Sequence, residues 1–215
     1  MSLFHYLMEL LFPPKCVLCR KLLKNGETDL CRDCRTETSP YANHKTHIQF
    51  LDSFVAVWYY EKNVRNSLLR YKFYGARSYA TSYGRLLAMR LQEEDISFDV
   101  LTWVPVSRLR KFRRGYDQVE LLAKAVGREL GVTPQPLLHK IRHNRPQSGL
   151  NDAAKRKANV LGAYRLKKDA QISGKRILLL DDILTTGATA GECARVLKTA
   201  GAKEVHCAAM AATRK

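Results

Sequence analysis

With 215 residues, of which 46% are hydrophobic, the chain is long enough for one domain of ordinary size plus a small accessory module. Its formal net charge of +17, from 37 Lys and Arg against 20 Asp and Glu, makes polyanions and phosphorylated small molecules the leading partner classes. The apolar start, MSLFHYLMELLF, is too short to span a bilayer and lacks the basic region and cleavage site of a signal peptide.

This composition predicts a cytoplasmic protein with no membrane span. We expect the first twelve residues to form an amphipathic helix that packs on the protein, with peripheral membrane contact as the alternative.

Four of the six cysteines form two C-x2-C pairs, namely Cys16, Cys19, Cys31 and Cys34. Each C-x2-C turn can direct two thiolates at a shared metal about 2.3 Å away, so the pattern predicts one closed, structural zinc site. The segment between the pairs, with Asn25 and Gly26 at its middle, resembles a short hairpin. Disulfides are the alternative, and a reducing compartment disfavours them.

A segment poor in apolar residues, 40–49, is typical of a linker and divides the chain near residue 45. We therefore place the N-terminal helix and the zinc module in residues 1–45, and a second, larger domain in residues 46–215. Cys193 and Cys207 fall in a predicted helix and a predicted strand of this domain, where we expect them to be core residues.

Strands and helices alternate through the larger domain. The spacing of apolar residues predicts strands at 51–60, 98–107, 175–182 and 204–212, and helices at 63–75, 76–94, 118–130 and 189–201. This alternation predicts an α/β fold with a mainly parallel sheet covered by helices on both faces. Ligands of such folds bind beyond the carboxyl ends of the strands.

The segment ILLLDDILTTGAT, residues 177–189, joins a buried strand to paired acids and a small, hydroxyl-rich turn. Free N–H groups at the start of the next helix, with three threonine hydroxyls, make a nest for a phosphate, and Gly187 permits close backbone approach. Two acids just before such a nest indicate a ligand with hydroxyls beside a phosphate, such as a ribose 5-phosphate. The alternative is that the acids only cap the helix.

The same segment resembles the phosphoribosyl pyrophosphate (PRPP) motif of type I phosphoribosyltransferases. The resemblance implies that Asp181 and Asp182 hold the ribose 2- and 3-hydroxyls and serve as catalytic residues. It implies that the 5-phosphate is bound by Thr185, Thr186, Gly187, Ala188 and Thr189.

More of the chain narrows the family. The cysteine module, the tetrapeptide KFYG at 72–75, and residues 104–123 and 146–164 together resemble the ComF family of competence proteins and GntX-like proteins. The resemblance spans nearly all of residues 10–212. The family motif R-G-[FY]-N-Q occurs here as RGYDQ, so an amide donor role does not carry over to Asp117.

Within this resemblance, the loop 104–108 receives the pyrophosphate of PRPP, with Ser107 and Arg108 as donors and Mg2+ sharing the charge. Lys72 approaches the same pyrophosphate. Residues 142–159 form a hood over the site, in which Arg156 and Asn159 match the family's R-x-x-N-V element.

Basic residues are concentrated in residues 105–160, which carry 13 Lys and Arg against 4 Asp and Glu. A solvated basic face is the simplest explanation for any single one of them. As a set, those between residues 108 and 145, with Phe112, Tyr116 and His143 interleaved, also fit a groove for single-stranded nucleic acid, in which cations follow phosphates and rings stack on bases.

The sequence thus favours a ComF-type protein that binds PRPP with Mg2+, carries structural Zn2+, and acts with single-stranded DNA, and with DNA-uptake proteins, in natural transformation. The alternative is a phosphoribosyltransferase of nucleotide salvage acting on a nitrogenous base. Whether the protein turns over is a separate question, because no residue identifies the acceptor and fold alone does not establish chemistry.

Overall fold

The computed structural model describes residues 13–42, 47–142 and 158–214. The predicted N-terminal helix, and the hood residues His143 and Arg156, lie outside these ranges. No helix within the described residues is both long enough and apolar enough to cross a membrane.

The cysteine module is compact and short. Helix α1 (Arg32–Glu37) begins directly after Cys31 and contains Cys34, and an isolated antiparallel bridge joins Lys15 to Leu22 beside the first cysteine pair. In place of the expected hairpin, the chain turns at Gly26, which has a φ of 83°. The Glu27 carboxylate holds this turn by accepting from the backbone N–H groups of Lys24 and Arg32, both at 2.7 Å.

Eleven further elements follow in the described chain. In chain order they are β1 (Ser53–Tyr59), α2 (Lys62–Phe73), α3 (Tyr79–Glu93), β2 (Val100–Trp103), α4 (Arg108–Arg114), α5 (Gln118–Leu130), β3 (Leu138–Lys140), β4 (Tyr164–Leu166), β5 (Arg176–Leu184), α6 (Ala188–Thr199) and β6 (Glu204–Ala212). Strands β1, β2, β5 and β6 form a parallel sheet in the order β1-β6-β5-β2. The predicted α/β fold with a parallel sheet is confirmed.

Two hydrophobic cores cover the two faces of this sheet. On one face Leu178 and Leu180 of β5 pack with residues of α2, α3 and α5. On the other face Ile177 and Leu179 pack with α6 and with the antiparallel pair β3–β4. Because side chains alternate along a strand, consecutive residues of β5 belong to different cores.

Two differences from the predicted elements lie around β2. The strand ends at Trp103 rather than residue 107, because Pro105 has no N–H for the ladder. Helix α4 was not expected, and none of its side chains is buried, so no apolar period marks it in the sequence. It begins because the Ser107 hydroxyl accepts from the Arg110 N–H at 3.4 Å.

Candidate ligand site at the carboxyl end of the sheet

The predicted acid pair lies inside strand β5, near its carboxyl end. Strand β5 continues to Leu184 and pairs with β6 there, whereas its pairing with β2 ends at Leu180. Asp181 and Asp182 therefore lie where one neighbouring strand has stopped, which opens the edge of the sheet. They belong to opposite faces, and the Asp182 N–H donates to Asp181 Oδ1 at 2.8 Å.

Asp182 is tied to the helices of the first core. Its Oδ1 lies 2.8 Å from Lys72 Nζ at the end of α2, and its Oδ2 accepts from Gln118 Nε2 of α5 at 2.8 Å. Burial alone would raise the pKa of this carboxyl, but Lys72, Gln118 and Arg114 together outweigh burial, and the pKa lies below its usual value. Asp182 is thus a carboxylate at neutral pH, and the structure brings the predicted Lys72 to it.

Asp181 has a different electrostatic environment on the opposite face. Burial and the neighbouring charge of Asp182 raise its pKa to about 8. Among the described residues no cation forms an ion pair with it. The two acids therefore differ in protonation at neutral pH, and Asp181 is the one that a bound cation would ionise.

The predicted phosphate loop connects β5 to α6. Gly187 caps α6 in the left-handed conformation, at φ 74°, and the Thr186 hydroxyl accepts from the Ala188 N–H at 3.3 Å. The Thr213 hydroxyl donates to the Thr185 carbonyl at 3.1 Å, which ties the loop to the end of β6. A Cβ at Gly187 would lie 2.6 Å from Ile48 Cδ1, so the loop fits beneath the segment that precedes β1.

The predicted pyrophosphate loop leads directly into α4. Ser107 is buried and caps the helix, whereas Arg108 is exposed. Asp117 joins this loop to α5, since its Oδ2 accepts from the Val106 N–H at 3.2 Å and its Oδ1 from the N–H groups of Val119 and Glu120. Both oxygens of Asp117 act as acceptors here, so the carboxylate supplies what these three bonds require.

Three residues that the sequence did not single out lie near Asp181, namely Arg110, Lys140 and Tyr164. Lys140 of β3 lies with its Nζ 3.1 Å from the hydroxyl of Tyr164 and 4.9 Å from the centre of its ring. Burial and the charge of Arg110 lower the pKa of Lys140 to about 8, while Asp181 acts in the opposite sense. No motif marks Lys140, because only the pairing of β3 with β4 brings it to the site.

The aromatic residues expected to stack on bases differ in accessibility. Phe112 is 86% exposed, but Tyr116 is only 7% exposed and its hydroxyl donates to the Tyr71 carbonyl. The expectation for Tyr116 is therefore wrong, because the ring is part of the packing between α2 and the start of α5. Phe73 and Tyr74 are 58% and 78% exposed and were missed as candidates.

The four predicted zinc ligands converge on one point. The sulfur atoms of Cys16, Cys19, Cys31 and Cys34 all lie within 4.8 Å of one another. Tetrahedral zinc with bonds of about 2.3 Å requires sulfur atoms somewhat less than 4 Å apart, and Cys19 and Cys31 lie 3.6 Å apart. All four positions are supplied by protein, so the site fits structural Zn2+ and leaves no open position for catalysis. Cys193 and Cys207 are fully buried in the second core.

The zinc module is packed on the helices that carry the ligand site. Val17 and Leu18 join the first core, and the Val17 carbonyl accepts from the Ser67 hydroxyl of α2. Arg85 of α3 binds the buried Asp29 through two hydrogen bonds, one of 2.9 Å from Nε. The module thus shares a core with the larger domain, although their boundary near residue 45 stays a prediction.

Known proteins match both parts of the chain. The family model "Phosphoribosyl transferase domain" matches residues 120–215, and "Double zinc ribbon domain" matches residues 7–46. Competence protein F of Haemophilus influenzae is 24% identical over 89% of this chain and 94% of its own length. Competence protein ComFC of Streptococcus pneumoniae is 30% identical over 87% of this chain and 77% of its own length.

A third relative, the DNA utilization protein YhgH of Escherichia coli, is 33% identical over 50% of this chain and 47% of its own length. The phosphoribosyltransferase family model covers much of the parallel sheet, and the zinc ribbon family model covers the four-cysteine module. The chain belongs to the ComF family of competence proteins, and it combines a phosphoribosyltransferase-type domain with an N-terminal zinc ribbon.

Proposed function

We propose that the protein binds PRPP together with Mg2+ at the carboxyl end of β5. The observation that carries this proposal is the succession, within nine residues, of an acid pair at an open sheet edge and a glycine-capped turn at a helix start. The acids suit the hydroxyls of a sugar, and the N–H groups at the start of α6 suit its 5-phosphate.

Asp181 and Asp182 are the residues that would hold Mg2+, directly or through the sugar hydroxyls. Carboxylate oxygens are the ligands that Mg2+ prefers, and a buried acid without a cationic partner among the described residues fits a bound cation. When bound, Mg2+ would neutralise part of the charge that the pyrophosphate gains if its bond to the sugar breaks.

The chain's own cations would bind the pyrophosphate. Arg110 and Lys140 come from different elements, and the charges of Arg110 and Asp181 both act on the pKa values of Lys140 and Tyr164, which places these groups near one another. Together with Arg108 at the start of α4, they offer positive charge on the side of the sheet where β2 has ended, and Ser107 adds a hydroxyl there. Lys72 offers a further cation on the opposite face.

Calorimetric titration of the zinc-loaded protein tests this proposal. We expect saturable binding of PRPP that requires Mg2+, and weaker binding of ribose 5-phosphate and of pyrophosphate alone. Asp182→Asn should lower the PRPP affinity at least about tenfold, since it removes a charged partner of the site. Asp95→Asn, at an exposed carboxyl after α3, is the matched control. Wild-type protein that binds no PRPP would overturn the proposal.

Ligand binding and turnover are separate proposals. In one alternative the protein is a phosphoribosyltransferase of nucleotide salvage, and a nitrogenous base displaces pyrophosphate at C1 of the sugar. Pyrophosphate release measured over a panel of bases tests this alternative, with Asp181→Ala and Asp182→Ala as inactive controls. If protein that binds PRPP releases no pyrophosphate with any base of the panel, a binding role is favoured.

A second candidate function is single-stranded DNA binding during DNA uptake in natural transformation. The observation that favours it is helix α4, RLRKFRR, in which five of seven residues are basic and no side chain is buried. The names of the relatives, competence proteins and a DNA utilization protein, agree with this context. Affinity for an oligonucleotide should fall steeply as salt rises. Salt-independent binding would rule out the electrostatic mechanism.

A further inference from the structure

Two exposed rings, the exposed Arg77 and the half-buried Arg114 form one surface between the end of α2 and the end of α4. This aromatic-arginine patch consists of Phe73, Tyr74, Arg77 and Arg114. The Arg114 guanidinium lies 4.6 Å from the centre of the Phe73 ring, and Arg77 Nη2 donates to the Gly115 carbonyl at 3.5 Å. Two chain segments about forty residues apart are thereby joined at the surface.

The side chains of the patch indicate which class of partner can bind there. The rings of Phe73 and Tyr74 are more than half exposed, and each can stack on a planar group. The neighbouring guanidinium groups suit phosphates, and they also stack on planar rings. An acidic peptide would use only the charges, and a duplex keeps its base faces covered. A single strand of nucleic acid offers both phosphates and free base faces.

The patch is connected to the ligand site by short polar contacts. Arg114, which covers Phe73, donates from Nη1 to Gln118 Oε1 at 2.8 Å, and Gln118 Nε2 donates to Asp182 at 2.8 Å. Lys72, which precedes Phe73 in the chain, forms the ion pair with the same carboxylate. A ligand that moves Arg114 or Lys72 therefore changes the surroundings of Asp182.

We propose that the aromatic-arginine patch is the base-stacking surface for single-stranded nucleic acid, and that the strand and PRPP weaken each other's binding because both draw on Lys72 and Arg114. The second half of this inference rests on the proposed function. Coupling between two ligands is reciprocal, so PRPP should release the strand by the same factor by which the strand releases PRPP.

Fluorescence anisotropy with two labelled oligonucleotides tests the stacking surface. One is oligothymidylate, and the other is an abasic strand of the same length that keeps every phosphate and lacks the bases. We expect wild-type protein to prefer oligothymidylate at least about fivefold, as loss of a stacked base typically costs. The double variant Phe73→Leu, Tyr74→Leu should bind both strands alike. Met89→Ala, at an apolar position on α3 that is 52% exposed, should keep the preference.

A preference that survives in the double variant, or is absent from wild-type protein, would overturn the stacking surface. Because the substituted side chains are exposed, these variants should remain folded. The zinc content and the melting temperature of each variant check that they do.

The same titration with saturating Mg2+ and PRPP tests the coupling. We expect the oligothymidylate affinity of wild-type protein to fall about fivefold or more, and this response to shrink in Arg114→Gln but not in Arg128→Gln, an exposed arginine on α5. Unchanged or tighter strand binding in protein that binds PRPP would contradict the coupling. Protein that binds no PRPP at all would remove the proposed function and the coupling together, while the result with the abasic strand would still decide the stacking surface.

Discussion

At the scale of single residues, the site depends on two adjacent acids that the fold treats differently. Asp182 is paired with Lys72 and Gln118, whereas Asp181 is buried beside that charge on the other face. The sequence predicted both acids as ligand-binding residues, but it could not separate them, because the difference arises from side chains brought in by α2, α5 and β3. We infer that an ionised Asp181 is destabilised by burial and by repulsion from Asp182, and that a bound cation would offset both effects.

Asp181→Asn should therefore stabilise the unliganded protein as pH rises. The pKa of Asp181 is raised in the folded state to about 8, so wild-type stability falls as pH rises from the unfolded value of about 4 towards 8. Asparagine does not titrate, so its advantage in free energy of unfolding should grow by roughly 3–4 kcal/mol between pH 5 and pH 8. Urea unfolding at the two pH values measures this. An advantage that is constant with pH would show that Asp181 is ionised in the fold.

PRPP affinity should be greatest near pH 8. Below that value Mg2+ must displace the proton of Asp181, and above it Lys140, whose pKa is lowered to about 8, loses the charge that binds the polyanion. Asp182 stays ionised, while Tyr164 and Cys193 stay neutral because burial raises their pKa values well above the ordinary range. Calorimetry from pH 7 to 10 measures the profile. Lys140→Arg should abolish the fall above pH 8, and an unchanged fall would exclude Lys140 as its cause.

At the scale of elements, the predicted helices and strands with a buried face were found close to their expected positions. Helix α5 and strand β6 have the predicted bounds, since apolar spacing and the αL residue Gly131 mark them. Helix α4 and the pair β3–β4 were not predicted. A helix without a buried side chain shows no repeat of apolar residues, and strands of three residues are too short to show one. These missed elements supply Arg110, Lys140 and Tyr164 to the site.

The turn before α6 should tolerate no side chain at Gly187. Its φ of 74° is strained for any L residue, and a Cβ would lie 2.6 Å from Ile48 Cδ1. We expect Gly187→Ala to lose about 1–2 kcal/mol of stability and at least tenfold in affinity for ribose 5-phosphate, by calorimetry and urea unfolding. Gly26→Ala has a similar φ but no atom within 4 Å of its added Cβ, so it should lose only stability. Equal ligand binding by the two variants would contradict a phosphate site at this turn.

At the scale of the whole molecule, the zinc ribbon is part of the structure that positions the ligand site. Its four cysteines were predicted from their spacing, whereas its packing on α2 and α3 was not, because Val17, Leu18 and Asp29 carry no sign of their distant partners. Helix α2 lies between the two, with Ser67 bound to the ribbon and Lys72 bound to Asp182.

Arg85→Gln should destabilise this junction. It leaves the Asp29 carboxylate, which is 7% exposed, without its guanidinium partner. We expect a loss of about 2 kcal/mol in urea unfolding of zinc-saturated protein, less than for a fully buried pair because Arg85 is partly exposed. Lys21→Gln breaks the exposed pair with Asp33 and should leave the free energy of unfolding almost unchanged, because solvent screens this pair. A small loss for both variants would show that the ribbon is held by its apolar contacts alone.

The central claim is that one site holds the sugar phosphate and the pyrophosphate of PRPP together. Phosphorus NMR of PRPP and Mg2+ titrated with the protein tests it most directly, because the 5-phosphate and the two pyrophosphate resonances are followed separately. We predict that all three resonances shift or broaden with one stoichiometry, and that Gly187→Ala removes the change at the 5-phosphate. Changes confined to the pyrophosphate, with the 5-phosphate unaffected in wild-type protein, would reduce the interaction to charge attraction by basic side chains and contradict the proposed site.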